Sequence, residues 1–191
     1  MSQIFEVKNS EANEPFNRFA IPLRYGLMVG FILMFLTTVT FLYIMKWNFW
    51  AFSAAGFMMF LIPVIFYGIA ASKQKKEMGG VISLKDAFQT AFVVILISQL
   101  ISGIYGLIYI KYIDPECMLR MKETMLEFFE SMKNMPQESI DQQMKNMDEQ
   151  IDGSTKPSIL LYSTAKSIII HSIFGFIAAL IVSRKKPVEQ H

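Results

Sequence analysis

One histidine interrupts an otherwise uncharged apolar run, His171 within residues 167–183 (SIIIHSIFGFIAALIVS). An imidazole can move protons near neutral pH or, kept neutral, hold a hydrogen bond, and its burial among apolar residues is costly unless it is paired. His171 belongs to a row, Ser163, Ser167, His171, Gly175, Ala179 and Ser183, in steps of four. On a helix of 3.6 residues per turn such a row drifts by about 40° per step and forms one small or polar face. A second series, Ser98, Ser102 and Gly106 with Gln99 and Gly103 beside it, lies in residues 87–110, and Gly26 and Gly30 lie in an earlier run. Small residues let helices approach closely, so the rows predict tight packing within a bundle, an interface with a second copy or a membrane partner, or a substrate path. A neutral His171 bonded to Gln99, Ser98 or a serine of its own helix would be satisfied structurally. A proton relay would need a carboxylate, and none of the apolar runs contains Asp or Glu. That argues against an ion-coupled transporter of the usual kind.

The second constellation is rich in thioethers. Met118, Met121, Met125, Phe128, Met132 and Met135 advance by three and four, and Ile140, Met144, Met147 and Ile151 repeat the spacing. This is the seam of an amphipathic helix. Because Met side chains adapt to irregular surfaces, the seam at Met118, Met121, Met125, Phe128, Met132, Met144 and Met147 is a candidate for clasping a partner helix or a lipid. Thioethers also suit copper(I), but these recur at packing distance without a His or Cys cluster. The plainer reading is that two helices bury their seams against each other.

Enzymatic chemistry is nearly absent. There is no glycine-rich phosphate loop and no nucleophile with a base, and His191 is the last residue. No catalytic residue, cofactor or metal is expected. Cys117 is the single cysteine, which excludes an intrachain disulfide or a CxxC site. Asp114 and Glu116 are explained as helix-capping residues. The lysines of 73–86 could meet phosphate, although topology alone asks for a basic loop there.

These residues sit on elements that composition identifies. The chain has 191 residues, 53% of them hydrophobic, with a mean hydropathy of +0.37 and a net charge of +2. Such a chain is too apolar for an ordinary soluble domain and lacks the basic patch of a nucleic-acid binder. Residues 25–45 are uncharged, with Pro22 near the helix start and Arg24 near enough to lift its charge to the headgroups. A turn at Lys46 leads into uncharged 47–72, flanked by Trp47 and Trp50 as at a membrane interface, with Pro63 inside. The third run, 87–110, covers roughly 36 Å as a helix, enough to cross a bilayer. Ser83 and Asp86 before it form a capping-box-like start, so that helix should begin near Leu84. Asp114, Pro115 and Glu116 predict the next helix, with Asp114 as its N-cap, and Pro136 and Gly153 punctuate the one after. The fourth run, 159–183, places Lys166 at an interface.

The expected organisation is a tail at 1–20, three spans in 21–110, an amphipathic helical hairpin in 111–158, a fourth span at 159–183 and a tail at 184–191. The side holding both termini and the 73–86 loop carries Lys8, Arg18, Arg24, Lys73, Lys75, Lys76, Lys85, Arg184, Lys185 and Lys186, whereas 111–158 has ten acids against six bases. The positive-inside rule then makes both termini cytoplasmic and the hairpin extracytoplasmic. The first run is too long for a cleavable signal.

Gly79-Gly80 followed by Ile82-Ser83, the Lys85-Asp86-Ala87-Phe88 helix start, the Tyr-rich end of the third run and Ile113-Asp114-Pro115-Glu116 before a Met-rich acidic hairpin resemble an uncharacterised bacterial membrane family, domain of unknown function 4199. The resemblance covers roughly 22–186. It implies four spans with an insert between the third and fourth, and brings no activity, cofactor or catalytic residue. It also implies company with membrane glycosyltransferases. The expectation is therefore an all-α integral membrane protein, a non-enzymatic interaction or assembly subunit of the bacterial inner membrane, whose partners are membrane lipid and either a second copy or another membrane protein. A small dimeric lipid or solute transporter and an accessory subunit of a glycosyltransferase acting on lipid-linked sugars are the alternatives.

Overall fold

A computed structural model describes residues 18–132, 135–153 and 156–184. Expectations for the first seventeen residues, for a turn at Asn134, for the linker at Ser154 and for Lys185, Lys186 and His191 fall outside the described residues. The described elements are helical: α1 (Ala20–Leu42), α2 (Phe49–Glu77), α3 (Leu84–Ile108), α4 (Cys117–Ser131), α5 (Gln137–Gly153) and α6 (Pro157–Ser183). A single 3₁₀ turn, Ile44–Lys46, follows α1, and a wider π turn, Tyr109–Ile113, ends α3. Four stretches are long and apolar enough to cross a membrane, namely Ala20–Lys46, Phe49–Glu77, Leu84–Ile113 and Ser158–Ser183. The fold is all-α with four spans and a helical insert between the third and fourth.

The helix starts follow from local chemistry. Ser83 Oγ accepts the Asp86 N–H at 3.0 Å and donates to the Asp86 carboxylate at 2.7 Å, so α3 begins at Leu84 as the sequence predicts. Asn48 caps α2 by accepting the Ala51 N–H at 2.9 Å, turning the chain sharply after the 3₁₀ turn. Gly79 and Gly80 take φ of +79° and +87°, a left-handed bend that favours glycine between α2 and α3. Pro63 is buried within an uninterrupted α2.

One helix start differs from expectation. Asp114 does not cap α4; the helix begins at Cys117, and its N-cap residue Glu116 makes no side-chain cap. The Asp114 carboxylate instead pairs with the Arg120 guanidinium and accepts a hydrogen bond from the Tyr109 hydroxyl at 3.4 Å. A full charge one turn into α4 is a stronger partner for a carboxylate than the uncharged N–H groups of a helix end. This knot clamps the corner between α3 and α4.

The bundle is assembled through the small residues. α1 and α3 run parallel, because Gly26 faces Ile97, Gly30 faces Ile101 and Thr38 bonds the Tyr105 hydroxyl. A Cβ at Gly26 would lie 2.8 Å from the Cβ of Ile97, so only glycine allows this approach. α6 runs antiparallel to α3, with Gly175 against Ile95, Ser167 against Gln99 and Thr164 against Gly103. α2 lies along α6, and Val29 and Leu33 of α1, Tyr67 and Ala70 of α2 and Ala91, Val94 and Ile95 of α3 form the core, with Ile168 and Ala178 of α6 packed against it. Lys75 of α2 donates to the carbonyls of Val182 and Arg184 at 2.7 and 3.2 Å, closing the C-terminal end of α6.

The hairpin sits across the α1–α2 turn. Phe128 stacks on Phe49 at 3.6 Å between ring centres and meets Trp50 edge-on. Lys122 of α4 pairs with Asp148 of α5, Ile140 is buried, and Ile159 packs tightly on Gly153. The rings of Trp47 and Trp50 remain largely exposed at this end of the bundle.

Candidate functional site

The four-residue spacing along α6 turns one face of that helix toward α3, and the two meet imperfectly near the hairpin. Beyond Gly103, which is filled by Thr164, the next glycine of α3, Gly106, has nothing within 4 Å of a Cβ position. The helices part there and leave a groove of about 510 Å³. Gln99, Ser102, Gly106, Ser163, Lys166 and Ser167 contribute its polar and small lining, Leu107, Ile110, Ile159 and Leu160 its apolar walls, and Met118 of α4 closes the hairpin end. At its floor Ser167 Oγ donates to Gln99 Oε1 at 2.8 Å. Ser163 Oγ bonds back to the Leu160 carbonyl at 2.9 Å. The ammonium of Lys166 lines an otherwise neutral groove.

The sequence candidates therefore divide into two groups. Gln99, Ser102, Gly106 and Ser167 come together in the groove; Ser98, His171 and Gly175 are buried in the bundle behind it. Ser98 is satisfied by the Ile95 carbonyl at 3.2 Å. His171 Nδ1 lies 2.9 Å from the Tyr67 hydroxyl, and its ring packs 5.0 Å from that of Phe60. Of its expected partners, Gln99 accepts from Ser167 and Ser98 bonds its own helix, and both lie beside the Tyr67 hydroxyl rather than bonding the imidazole. Tyr67 is the partner that sequence reasoning missed. A signal existed: tyrosines of spans gather at the membrane interfaces, and Tyr67 lies well inside its helix. His171 is enclosed by the rings of Phe60 and Tyr67 and bonded to the Tyr67 hydroxyl.

The Met-rich seam is also divided. Phe128 is occupied by Phe49 and Trp50, and Met118 belongs to the groove. Met121, Met125, Met144 and Met147 are half-buried in the hairpin, and Met132 is exposed at the end of α4. Among the described residues no three His, Cys, Asp or Glu side chains converge as a metal site would require. Cys117, at the foot of α4, is fully buried beside the Asp114–Arg120 pair. Burial, reinforced by the negative charge of Asp114, pushes its thiol up to about 11. The hydrogen bond to Asp114 favours the charged form of Arg120 further.

The family model described as protein of unknown function (DUF4199) matches residues 24–184. The chain belongs to this family. No curated protein and no solved structure matches it. The DUF4199 match opens inside α1 and closes one residue after α6, so it takes in all but the first turn of the four spans, the insert and every wall of the groove.

Proposed function

We propose that this DUF4199 protein is a non-enzymatic interaction subunit of the bacterial cytoplasmic membrane, which receives a transmembrane helix of a membrane-protein partner in the α3–α6 groove. One observation carries the reading. The buried polar groups Ser98 and His171 are paired inside the bundle, whereas Gln99, Ser102, Gly106, Ser163, Lys166 and Ser167 line an open groove beside them. Small and hydroxyl-bearing residues beside an open glycine are what a close-packing helix uses, and they gain little from lipid chains. The basic residues at the ends of α2 and α6 favour cytoplasmic termini and an extracytoplasmic hairpin, which puts the groove in the outer half of the bilayer. A transporter is less well supported, since the groove stops at the Gln99–Ser167 pair and His171 is sealed behind it. A glycosyltransferase assembled with this subunit is one partner that fits.

The test is a mild-detergent purification of the tagged full-length protein from its native membrane, beside Gly106→Leu and Gly68→Leu variants. Both glycines have open space around them, so both variants should fold. One membrane protein retained by the wild type and Gly68→Leu but lost from Gly106→Leu is the expected result. Identical partners on all three, or none on any, would remove the groove from the account.

A further inference from the structure

A second groove lies at the opposite end of the molecule. α2 and α6 leave about 670 Å³ along one side of their contact, from Val64 past the level of Tyr67 and His171 to Lys76. Its walls are Val64, Ile65 and Ile69 of α2 and Ile177, Ala178 and Ile181 of α6, and Gly68 opens one side, with nothing within 4 Å of a Cβ position. At the end toward the α2–α3 loop the lining changes abruptly to Ser72, Lys73 and Lys76. Lys73 and Lys76 stand three residues apart, so both ammonium groups reach the same mouth. Lys75, between them in sequence, points elsewhere and holds the end of α6 through the Val182 and Arg184 carbonyls, which keeps the mouth's two sides together.

We infer that this groove binds one anionic phospholipid, an acyl chain lying along Gly68 and the headgroup phosphate at Lys73 and Lys76. The dimensions agree. From Val64 to Lys76 the helix rises by twelve steps, about 18 Å, close to one leaflet of a hydrocarbon core about 30 Å thick. An apolar trough of one-leaflet length that ends in two ammonium groups has the polarity profile of a lipid and the charge complement of a phosphate. A helix is a poorer occupant. Ile65, Ile69, Ile177 and Ile181 are exposed along the rims and hold a second backbone away, while a single hydrocarbon chain passes between them. Lys73 already has Glu77 at 3.3 Å, and a phosphate would compete with that exposed pair at little cost.

The experiment is native mass spectrometry of the purified full-length protein titrated with dioleoyl phosphatidylglycerol and, separately, dioleoyl phosphatidylcholine. The wild type should retain one phosphatidylglycerol in preference to phosphatidylcholine. Lys73→Gln with Lys76→Gln should weaken that binding on the order of tenfold or more and erase the preference. Gly68→Phe, which projects into the groove, should exclude both lipids with the lysines intact. Lys85→Gln, at an exposed lysine of the same basic region but outside the groove, should bind as the wild type does. Equal loss with Lys85→Gln would reduce the effect to general surface charge, and undiminished binding to Gly68→Phe would place the lipid elsewhere; either result overturns the assignment. So would displacement by inorganic phosphate with no lipid retained. Unchanged circular dichroism and gel-filtration profiles of the variants separate lost binding from lost structure.

Discussion

The two grooves share α6 and apolar walls, and differ in where their polar groups lie. The one near the hairpin, between α3 and α6, sets hydroxyls, an amide, a lysine and an open glycine among Leu107, Ile110, Ile159 and Leu160; the one at the basic end, between α2 and α6, is apolar until its mouth. Both flank the waist of α6, where Gly175 meets Ile95 and His171 meets Tyr67, while Thr164 against Gly103 and Lys75 on the Val182 and Arg184 carbonyls hold the helix nearer its ends. On either side of that waist an opening is left beside a different neighbour. The sequence of each end then decides its solvent: polar small residues ask for a helix, and branched apolar residues with terminal lysines ask for a lipid.

The harshest way to break the comparison is at the waist. A Cβ at Gly175 would lie 2.6 Å from Ile95 Cδ1 and 3.6 Å from Ala91 Cβ, so Gly175→Leu must push α6 off α3. Overpacking of this kind costs about 1–3 kcal/mol, and here both grooves should lose their form together. Thermal unfolding in detergent should shift down, with partner and phosphatidylglycerol both lost. A Gly175→Leu protein of wild-type stability that keeps either ligand would show that α6 is not pinned there. Gly106→Leu and Gly68→Phe should separate the two ligands, each variant losing one and keeping the other.

Next in size is the corner that closes the polar groove. Arg120 pairs with Asp114 and lies 3.9 Å from Glu116, and Asp114 is nearly buried. Arg120→Ala leaves that carboxylate with the Tyr109 hydroxyl as its remaining side-chain partner, at a cost of about 2 kcal/mol by analogy with hydrogen bonds to charged groups. The loosened hairpin should weaken partner retention and leave lipid binding untouched. If the two respond equally, the ends of the molecule are coupled and the division drawn above is too sharp.

These two sites also mark what the sequence could and could not reveal. Ser83 and Asp86 are three residues apart and bond each other, so the start of α3 was legible in the local pattern. Asp-Pro-Glu at 114–116 has the same local look, yet its meaning is set by Arg120, a full turn into the next helix. The four spans and the small-residue rows announced a packed bundle through spacing alone. Which rows meet is a different matter. Gly26 with Ile97 and Tyr67 with His171 join residues 71 and 104 positions apart, and nothing local chooses between such pairings. The apolar groove was invisible for a related reason: Lys73 and Lys76 read as topology signals until α6 comes alongside.

A smaller effect tests whether the waist is a packing device or a chemical one. Tyr67→Phe removes the hydroxyl facing His171 and nothing else. Hydrogen bonds between membrane helices average about 0.6 kcal/mol, so the loss of stability should be small, with both ligands bound as before. A collapse of partner binding in Tyr67→Phe would instead give the Tyr67–His171 pair a role in function.

The smallest effect is on reactivity rather than stability, and it reads the closed corner directly. The thiolate is the reactive form of cysteine, and an ordinary thiol is half ionised near 8.5. The buried Cys117 thiol, pushed up to about 11, stays protonated through the neutral range. Its labelling by a maleimide in the folded protein should therefore be slow at pH 7.5 and should climb tenfold per pH unit without levelling off by pH 10, where an exposed thiol has already saturated. Arg120→Ala should speed labelling at pH 7.5 by opening the corner to water, even though loss of a positive neighbour alone would raise the thiol further and slow it. Gly68→Phe, at the far groove, should leave the rate alone. The sign of the Arg120→Ala change thus decides between two causes of an inert thiol. Faster labelling means the corner is held shut by the ion pair; slower labelling means it stays shut without the pair, and the hairpin is fixed chiefly by Phe128 on Phe49 and Trp50.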